Sequence, residues 1–406
     1  MKKIKLSMTT QILIAMVLGG ALGLIFGQQI SGIKLVGDIF LRLIQMSVVL
    51  LISGTVIEAV GNLETKELGK IGLKIFFWFM ITTAIAATFG VLLGEIFKPG
   101  NGVELTAAGA IVQGTNQGLY DIILNFVPTN IINAMAEGNM IQVIVFMLLF
   151  GVALSIVKGE NKTSKLLDII AEFNKVILRL VHMVMNLAPI GIFCLVAYTT
   201  STSGAKVILP LIKFLGVLGL GASIHLMICI FGAAVYCKVS PLKICKKISN
   251  MTMVAFTTTS SAISLPIKME DSENKLGVSK RISGLVNPLG MTLNSNGLAI
   301  FLTLACMTVS QAYGMELSMS VIIRVAVLST LSCLGTVVVP GGGLVALTMV
   351  IPALGLPIEG VALLSGIDWF SGMFRTVLNV DVDALVAMII AKDVDELDYA
   401  IFNGSN

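Results

Sequence analysis

Apolar residues fall in long blocks along this chain, at about 8–27, 35–59, 71–97, 131–157, 176–200, 207–236, 282–309 and 361–391. A helix needs about 20 such residues to cross bilayer hydrocarbon, so the blocks predict eight transmembrane helices. Two further apolar regions, about 240–277 and 319–358, are interrupted by polar, Gly or Pro residues and do not read as simple spans.

The first interruption is Thr257-Thr258-Thr259-Ser260-Ser261, with Pro266 soon after. Five consecutive hydroxyls would be costly against lipid, and irregular backbone at that depth is tolerated only against protein or a water-filled cavity. A re-entrant helical hairpin with a hydroxyl-rich tip meets that condition; an ordinary cytoplasmic loop is the alternative. The second interruption is Gly335-Thr336-Val337-Val338-Val339-Pro340-Gly341-Gly342-Gly343. Pro340 ends a helix, and three glycines open backbone angles closed to other residues. Carbonyls exposed there could meet a ligand or a cation; the alternative is a flexible extracellular loop. Paired interrupted segments in corresponding positions point to a transporter binding site.

Basic residues set the orientation. With the N-terminus inside, cytoplasmic segments carry Lys2, Lys3, Lys5, Lys66, Lys70, Lys74, Lys158, Lys162, Lys165, Lys175, Lys238, Lys243, Lys246, Lys247, Lys280 and Arg281. Outside segments carry Lys98, Lys206 and Lys213. This is a positive-inside pattern, and eight spans return the C-terminal tail to the cytoplasm. The lysine-rich start followed by an apolar run mimics a signal peptide, but no A-x-A site accompanies Gly27-Gln28-Gln29. It reads as a retained first span.

Composition supports a membrane protein. Of 406 residues, 56% are apolar and 12% charged, with a mean hydropathy of +0.96. Soluble domains carry about 25% charged residues, so a cytosolic enzyme and a disordered chain are both excluded. The net charge of +4 is too dispersed for a nucleic-acid binder. Six cysteines without a CxxC pair and two distant histidines, His182 and His225, point to neither a disulfide framework nor a zinc site. No phosphate-binding P-loop is present, so ATP is not the expected energy source.

Two spans are unusually polar. The block at 361–391 carries Asp368, Arg375, Asn379, Asp381 and Asp383. At about 100° per residue, Asp368, Arg375, Asn379 and Asp383 share one helical face, with Asp381 opposite. Each charge near a span centre costs about 2.5–3.5 kcal/mol to insert, so these groups need a polar interior and partners. A structural salt-bridge helix is one reading. The other assigns Arg375 to an anionic substrate, because a permanent fork-shaped cation suits a carboxylate. Asp368 would then orient the guanidinium, and Asp383 would neutralise a cation. The block at 282–309 holds Asn287-Pro288-Leu289-Gly290-Met291-Thr292-Leu293-Asn294-Ser295-Asn296-Gly297. This predicts a broken helix whose freed carbonyls and Asn oxygens are hard ligands suited to Na⁺.

These motifs carry a resemblance. Val127-Pro128-Thr129-Asn130 and Ala188-Pro189-Ile190-Gly191-Ile192-Phe193 look like landmarks. More specific are the Ser-rich tip, the NxxG of Asn294 to Gly297, the V-P-G-x-G from Val339 to Gly343, and the Asp368, Arg375-Thr376, Asn379, Asp383 series. Along nearly its whole length the chain resembles the dicarboxylate/amino acid:cation symporter family, which includes archaeal aspartate transporters and the mammalian excitatory amino acid transporters.

The resemblance implies an all-α polytopic membrane protein with eight transmembrane helices and two re-entrant hairpins, working as an elevator within a homotrimer. It divides the chain into scaffold helices one and two (1–70), transport-domain helix three (71–97), scaffold helices four and five (98–205) and transport-domain helix six (206–236). The first hairpin (237–277), broken helix seven (278–310), the second hairpin (311–360), helix eight (361–391) and a cytoplasmic tail (392–406) follow.

By motif match, Arg375 would bind the distal carboxylate of the substrate. Ser261 and Asn379 would bind the other, helped by backbone at Val339, with Ser260, Thr376, Gly372 and Asp368 nearby. One Na⁺ site would use Asp383, Asn379, Asn294 and carbonyls near Gly290. Another would use Thr292 and carbonyls around Thr336, and a third Thr82, Thr83 and Asn294.

Departures from the family pattern bear on ions and substrate. The family's N-M-D-G reads Asn294-Ser295-Asn296-Gly297 here, so Asn296 replaces a carboxylate, which weakens a third Na⁺ site or points to proton coupling. Leu298 replaces a common Thr, and Gly372 replaces the aspartate that takes a substrate amino group. A buried ammonium without an anionic partner is costly. The expected substrate is therefore a C4-dicarboxylate, moved with Na⁺ or H⁺ across a bacterial inner membrane, ahead of an acidic or other amino acid. An anion channel is the expectation from a different class. An intramembrane hydrolase ranks last, since Ser260 and Ser261 have no base nearby in sequence.

Overall fold

The structure is a computed structural model that describes residues 8–61, 71–103, 124, 127–160, 165–203, 208–334 and 342–404. Val339 and Thr336 lie outside the described residues. Helices α1 (Met8–Phe26), α2 (Lys34–Gly61) and α3 (Leu73–Phe97) open the chain. A short turn of helix at Gly27–Ile33 links the first two. Then come α4 (Ile131–Glu137), α5 (Met140–Glu160), α6 (Leu166–Met185), α7 (Ala188–Ser203) and α8 (Ile208–Cys237).

Four helical runs among the described residues are long and apolar enough to cross a bilayer: Leu73–Phe97, Gln142–Glu160, Leu209–Cys237 and the broken run Lys280–Ala312. The block at 176–200, expected as one span, is divided between α6 and α7. Pro189, at the start of α7, cannot continue a helical ladder and disfavours helix in the residue before it. The block at 361–391 is likewise divided, into α15 (Gly360–Ser365) and α16 (Asp368–Asp393).

The first interrupted region forms two helices, α9 (Pro241–Thr258) and α10 (Ser261–Asn274), which pack on each other. Thr259 turns the chain with a left-handed φ of 51°, and its N–H still bonds the Ala255 carbonyl. Ser260 then caps α10, its side chain accepting from Ile263 N. Two of the five hydroxyl residues thus make the bend. The expected broken helix is α11 (Lys280–Leu293) followed by α12 (Asn296–Ala312), separated by extended backbone at Asn294. The second interrupted region supplies α13 (Met319–Ser332) and α14 (Gly342–Ala353). The tail ends in α17 (Tyr399–Asn403).

Exposure is inverted relative to a soluble protein. Large apolar side chains such as Val17, Ile25, Leu209, Ile212, Phe231 and Val235 lie on the outside, where hydrocarbon would meet them. Lys268, Asp381, Asp383, Asn287 and Asn296 are fully enclosed. Helix α12 is buried on every face except at Gln311, as expected of a helix apolar all round and encased by neighbours. Small residues let those neighbours approach. Gly90 and Gly94, one turn apart on α3, face Ile300, Thr303 and Met307 of α12, and Gly19 and Gly23 of α1 face Phe193, Ala197 and Thr200 of α7.

Two groups of contacts emerge. Helices α1, α2, α5, α6 and α7 pack among themselves, while α3, α8, α9, α10, α11 and α12 gather around α16.

Candidate functional site

Helix α16 carries the charges, and α10, α11, α12 and α14 supply what surrounds them. Arg375 is 8% exposed. Its Nη2 donates to Asp368 Oδ1 at 2.8 Å and to the Asp368 carbonyl at 3.0 Å. The seven-residue spacing therefore does orient the guanidinium. Its plane lies over Phe301 of α12, 4.5 Å from the ring centroid. The buried Nε has no hydrogen-bond partner among the described residues. An unsatisfied buried donor on a permanent cation is costly and calls for an acceptor.

Glycines make room around this cation. A Cβ at Gly343, in the first turn of α14, would collide with Arg375 Nη1 and Asp368 Oδ1, and one at Gly297 would collide with the Arg375 backbone. Gly372 is roomier: a Cβ there would lie 3.4 Å from Arg375 Nη2 and 3.9 Å from Thr259 Cβ. It faces both the guanidinium and the tip of the first hairpin. Ser260, Ser261 and Thr376 are buried. Asn379 Oδ1 accepts from Gly297 N at 2.8 Å, tying α16 to the start of α12.

One turn below Asn379, Asp383 sits against Gly290, where a Cβ would strike its carboxyl carbon. Its Oδ1 accepts from Asn294 Nδ2 at 2.7 Å. Its Oδ2 accepts from Lys268 Nζ at 2.5 Å, and the same ammonium donates to the Asn287 carbonyl at 2.9 Å. Lys268 was not anticipated from sequence. It arrives from α10, 115 residues away in the chain, and only the stripe Ser264, Lys268, Ser272 at four-residue spacing could have flagged it. Asp381, on the opposite side as expected, accepts from Thr252 Oγ1 of α9 at 2.8 Å.

A sodium ion needs free oxygens facing one point. At Asp383 the gathered groups do not fit one. Both carboxylate oxygens are taken by N–H donors, Asn379 Oδ1 is bonded to Gly297 N, and the Gly290 carbonyl accepts from Asn294 N.

At the expected third site, Asn294 Oδ1 accepts from Asn296 Nδ2 and from Thr83 Oγ1 at 3.3 Å. Asn296 Nδ2 also reaches Thr82 Oγ1 at 3.4 Å, and His225 Nε2 lies 3.2 Å from Asn296 Oδ1. Amide and hydroxyl hydrogens from Asn296 and Thr83 meet the Asn294 oxygen. Thr292 Oγ1 bonds the Leu289 carbonyl within its own helix.

A separate cavity of about 510 Å³ lies between α1, α7, α8 and the α15–α16 corner, lined by residues such as Met16, Leu24, Val196, Leu215 and Phe370. Its lining is apolar apart from Thr199 and Thr200, whose hydroxyls donate to carbonyls of their own helix.

The sequence profile of the sodium:dicarboxylate symporter family matches residues 8–393. Relatives include a proton/glutamate-aspartate symporter of Bacillus subtilis, 33% identical, the match covering 94% of each chain. A C4-dicarboxylate transport protein of Anaeromyxobacter is 30% identical, over 98% of this chain and 92% of that one. A proton/sodium-glutamate symport protein of Bacillus subtilis is 31% identical, over 97% and 94%.

The close approaches make a testable contrast. Gly343→Ala and Gly290→Ala force a methyl group into the Arg375–Asp368 and Asp383 contacts and should each destabilise by about 1–3 kcal/mol. Gly284→Ala, on α11 with open space at its Cβ, should be neutral or stabilise by up to about 1 kcal/mol through helix propensity. Thermal unfolding of the detergent-purified variants reads the difference.

Proposed function

The chain belongs to the sodium:dicarboxylate symporter family, and on that premise we propose that it carries a C4-dicarboxylate such as succinate, fumarate or malate across the plasma membrane by alternating access. Membership makes it a cation-coupled symporter and an integral membrane protein, not an enzyme. The relatives named above are symporters of acidic amino acids or transporters of dicarboxylates at nearly equal identity, so identity does not choose between the substrates.

The observation that carries the choice is Arg375 beside Gly372. The guanidinium is buried, held by Asp368, and its Nε has no partner among the described residues, which favours a carboxylate. The neighbouring position that faces it offers no charge for an ammonium. A dicarboxylate needs the first feature and not the second. In this reading Arg375 takes one carboxylate. The Ser261 hydroxyl, the Asn379 Nδ2 hydrogens and backbone near Val339 take the other, with Ser260 and Thr376 closing the sides. The hairpins, the broken helix and α16 move together against α1, α2 and α5–α7, as an elevator within a homotrimer, both termini in the cytoplasm. The coupling cation is H⁺ or Na⁺.

Uptake of radiolabelled substrate into proteoliposomes, with Na⁺ or H⁺ gradients imposed, tests this. Succinate uptake should saturate and be competed by fumarate and malate; flux linear in concentration would support a channel. Uptake of aspartate but not succinate would overturn the ranking. Arg375→Lys should abolish the rise in melting temperature caused by succinate, because an ammonium cannot reproduce the fork. Gly372→Asp should weaken succinate at least about tenfold, the like charge opposing one carboxylate, and improve competition by aspartate.

A further inference from the structure

The oxygens that accept from Lys268 are those a bound cation would need. Its Nζ lies 2.5 Å from a carboxylate oxygen of Asp383 on α16 and 2.9 Å from the Asn287 carbonyl on α11. A carboxylate and a main-chain carbonyl from a broken helix are hard oxygen ligands for a small monovalent cation. Both side chains are enclosed, Lys268 at 0% and Asp383 at 1% exposure. A carboxylate so placed is tolerated only if paired, and the ammonium pairs it. The second carboxylate oxygen is closed by the Asn294 amide, which itself belongs to the oxygen set expected to hold sodium.

Lys268 is also in no position to be a surface lysine. It projects from the buried side of α10, on the stripe with Ser264 and Ser272, both at 0% exposure. Its stem crosses to the face of α16 that carries Arg375 two turns away.

We propose that Lys268 is a resident cation: its ammonium takes the place of a sodium ion beside Asp383, and this locus is loaded by the chain itself. The inference rests on the reading of the protein as a cation-coupled symporter of this family. It says that the Asp383 locus takes up no sodium during transport, whichever cation drives the carrier from elsewhere.

Exchange between the tethered and the free cation is the test. Purified wild-type protein, Lys268→Gln and the charge-balanced double variant Lys268→Gln with Asp383→Asn are melted without substrate in NaCl and in choline chloride. Wild type and the double variant should differ by no more than about 1 °C in what they gain from sodium, because any such gain comes from places other than Asp383. Lys268→Gln leaves the carboxylate unmatched, so it should melt lower in choline and recover in sodium at least about 5 °C more than wild type does, as expected when a ligand binds only the folded state. The double variant should fold and gain from sodium no more than wild type does.

Succinate is then added to each protein. Lys268→Gln should show a succinate affinity that depends on sodium at least about tenfold more strongly than that of wild type. The idea is overturned if wild type gains several degrees from sodium and loses that gain in Asp383→Asn. It is equally overturned if Lys268→Gln gains no more from sodium than wild type does. If the single variant fails to fold in any salt while the double variant folds, the ammonium is a counter-charge that sodium cannot replace, and the exchange is refuted. The substrate-free melts judge the cation locus; a failed succinate response in all proteins would instead count against the choice of substrate.

Discussion

Charge confined in hydrocarbon must be matched, and this requirement organises the centre of the molecule. Two ion pairs, Arg375 with Asp368 and Lys268 with Asp383, are both anchored on α16. One pair is closed within a single helix and the other spans two. Removing one partner of such a buried pair costs about 3–5 kcal/mol, which is comparable to the stability margin of a whole domain. The first hairpin arm, the broken helix and α16 are therefore held together by electrostatics as well as by packing. The glycines at 290, 297 and 343 exist at the points where backbone or side chain must come closest to those charges.

The break between α11 and α12 shows how local preference and long-range pairing cooperate. Asn294 takes extended backbone angles, a choice open to Asn because its side chain readily bonds outside a helical ladder. Here the side chain bonds Asp383 through Nδ2 and receives Asn296 and Thr83 at Oδ1. The chain then resumes as α12, whose first turn hands Gly297 N to Asn379. Unwinding thus exchanges backbone bonds for three contacts that join α3, α12 and α16.

Much of this was legible in the sequence. The helical spacing of Asp368, Arg375, Asn379 and Asp383 put them on one face, and their polarity in an apolar block put that face inward. The hydroxyl run located the bend of the first hairpin to within a residue or two. The partner of Asp383 was not legible. Periodicity tells which way a side chain points but not what meets it, and Lys268 lies on another element whose own pattern is weakly apolar. A lysine four residues from two buried serines looks like any amphipathic arm until the fold supplies Asp383. The broken blocks at 176–200 and 361–391 were missed for a related reason: apolarity persists through a break, and only Pro189 and Gly366 mark it. Phe301 under the guanidinium carried no signal beyond being one apolar residue among many.

A tethered cation changes what coupling must accomplish. Arg375 and Asp368 cancel, as do Lys268 and Asp383, so these two pairs add no net charge before substrate arrives. A dicarboxylate dianion would then add minus two. Carrying each elementary charge against an inside-negative potential costs about 2.3 kcal/mol per 100 mV, hence roughly 4.6 kcal/mol for the dianion. Lys268 cannot offset this, because it is covalently part of the chain and brings no gradient with it. On the reading proposed above, it would match Asp383 in the loaded and the empty carrier alike, and the empty carrier would return without an unmatched buried charge. The driving force must come from mobile cations that bind with the substrate and leave with it. Electroneutral import of a dianion needs two of them, and they must be held at places other than the locus Lys268 fills.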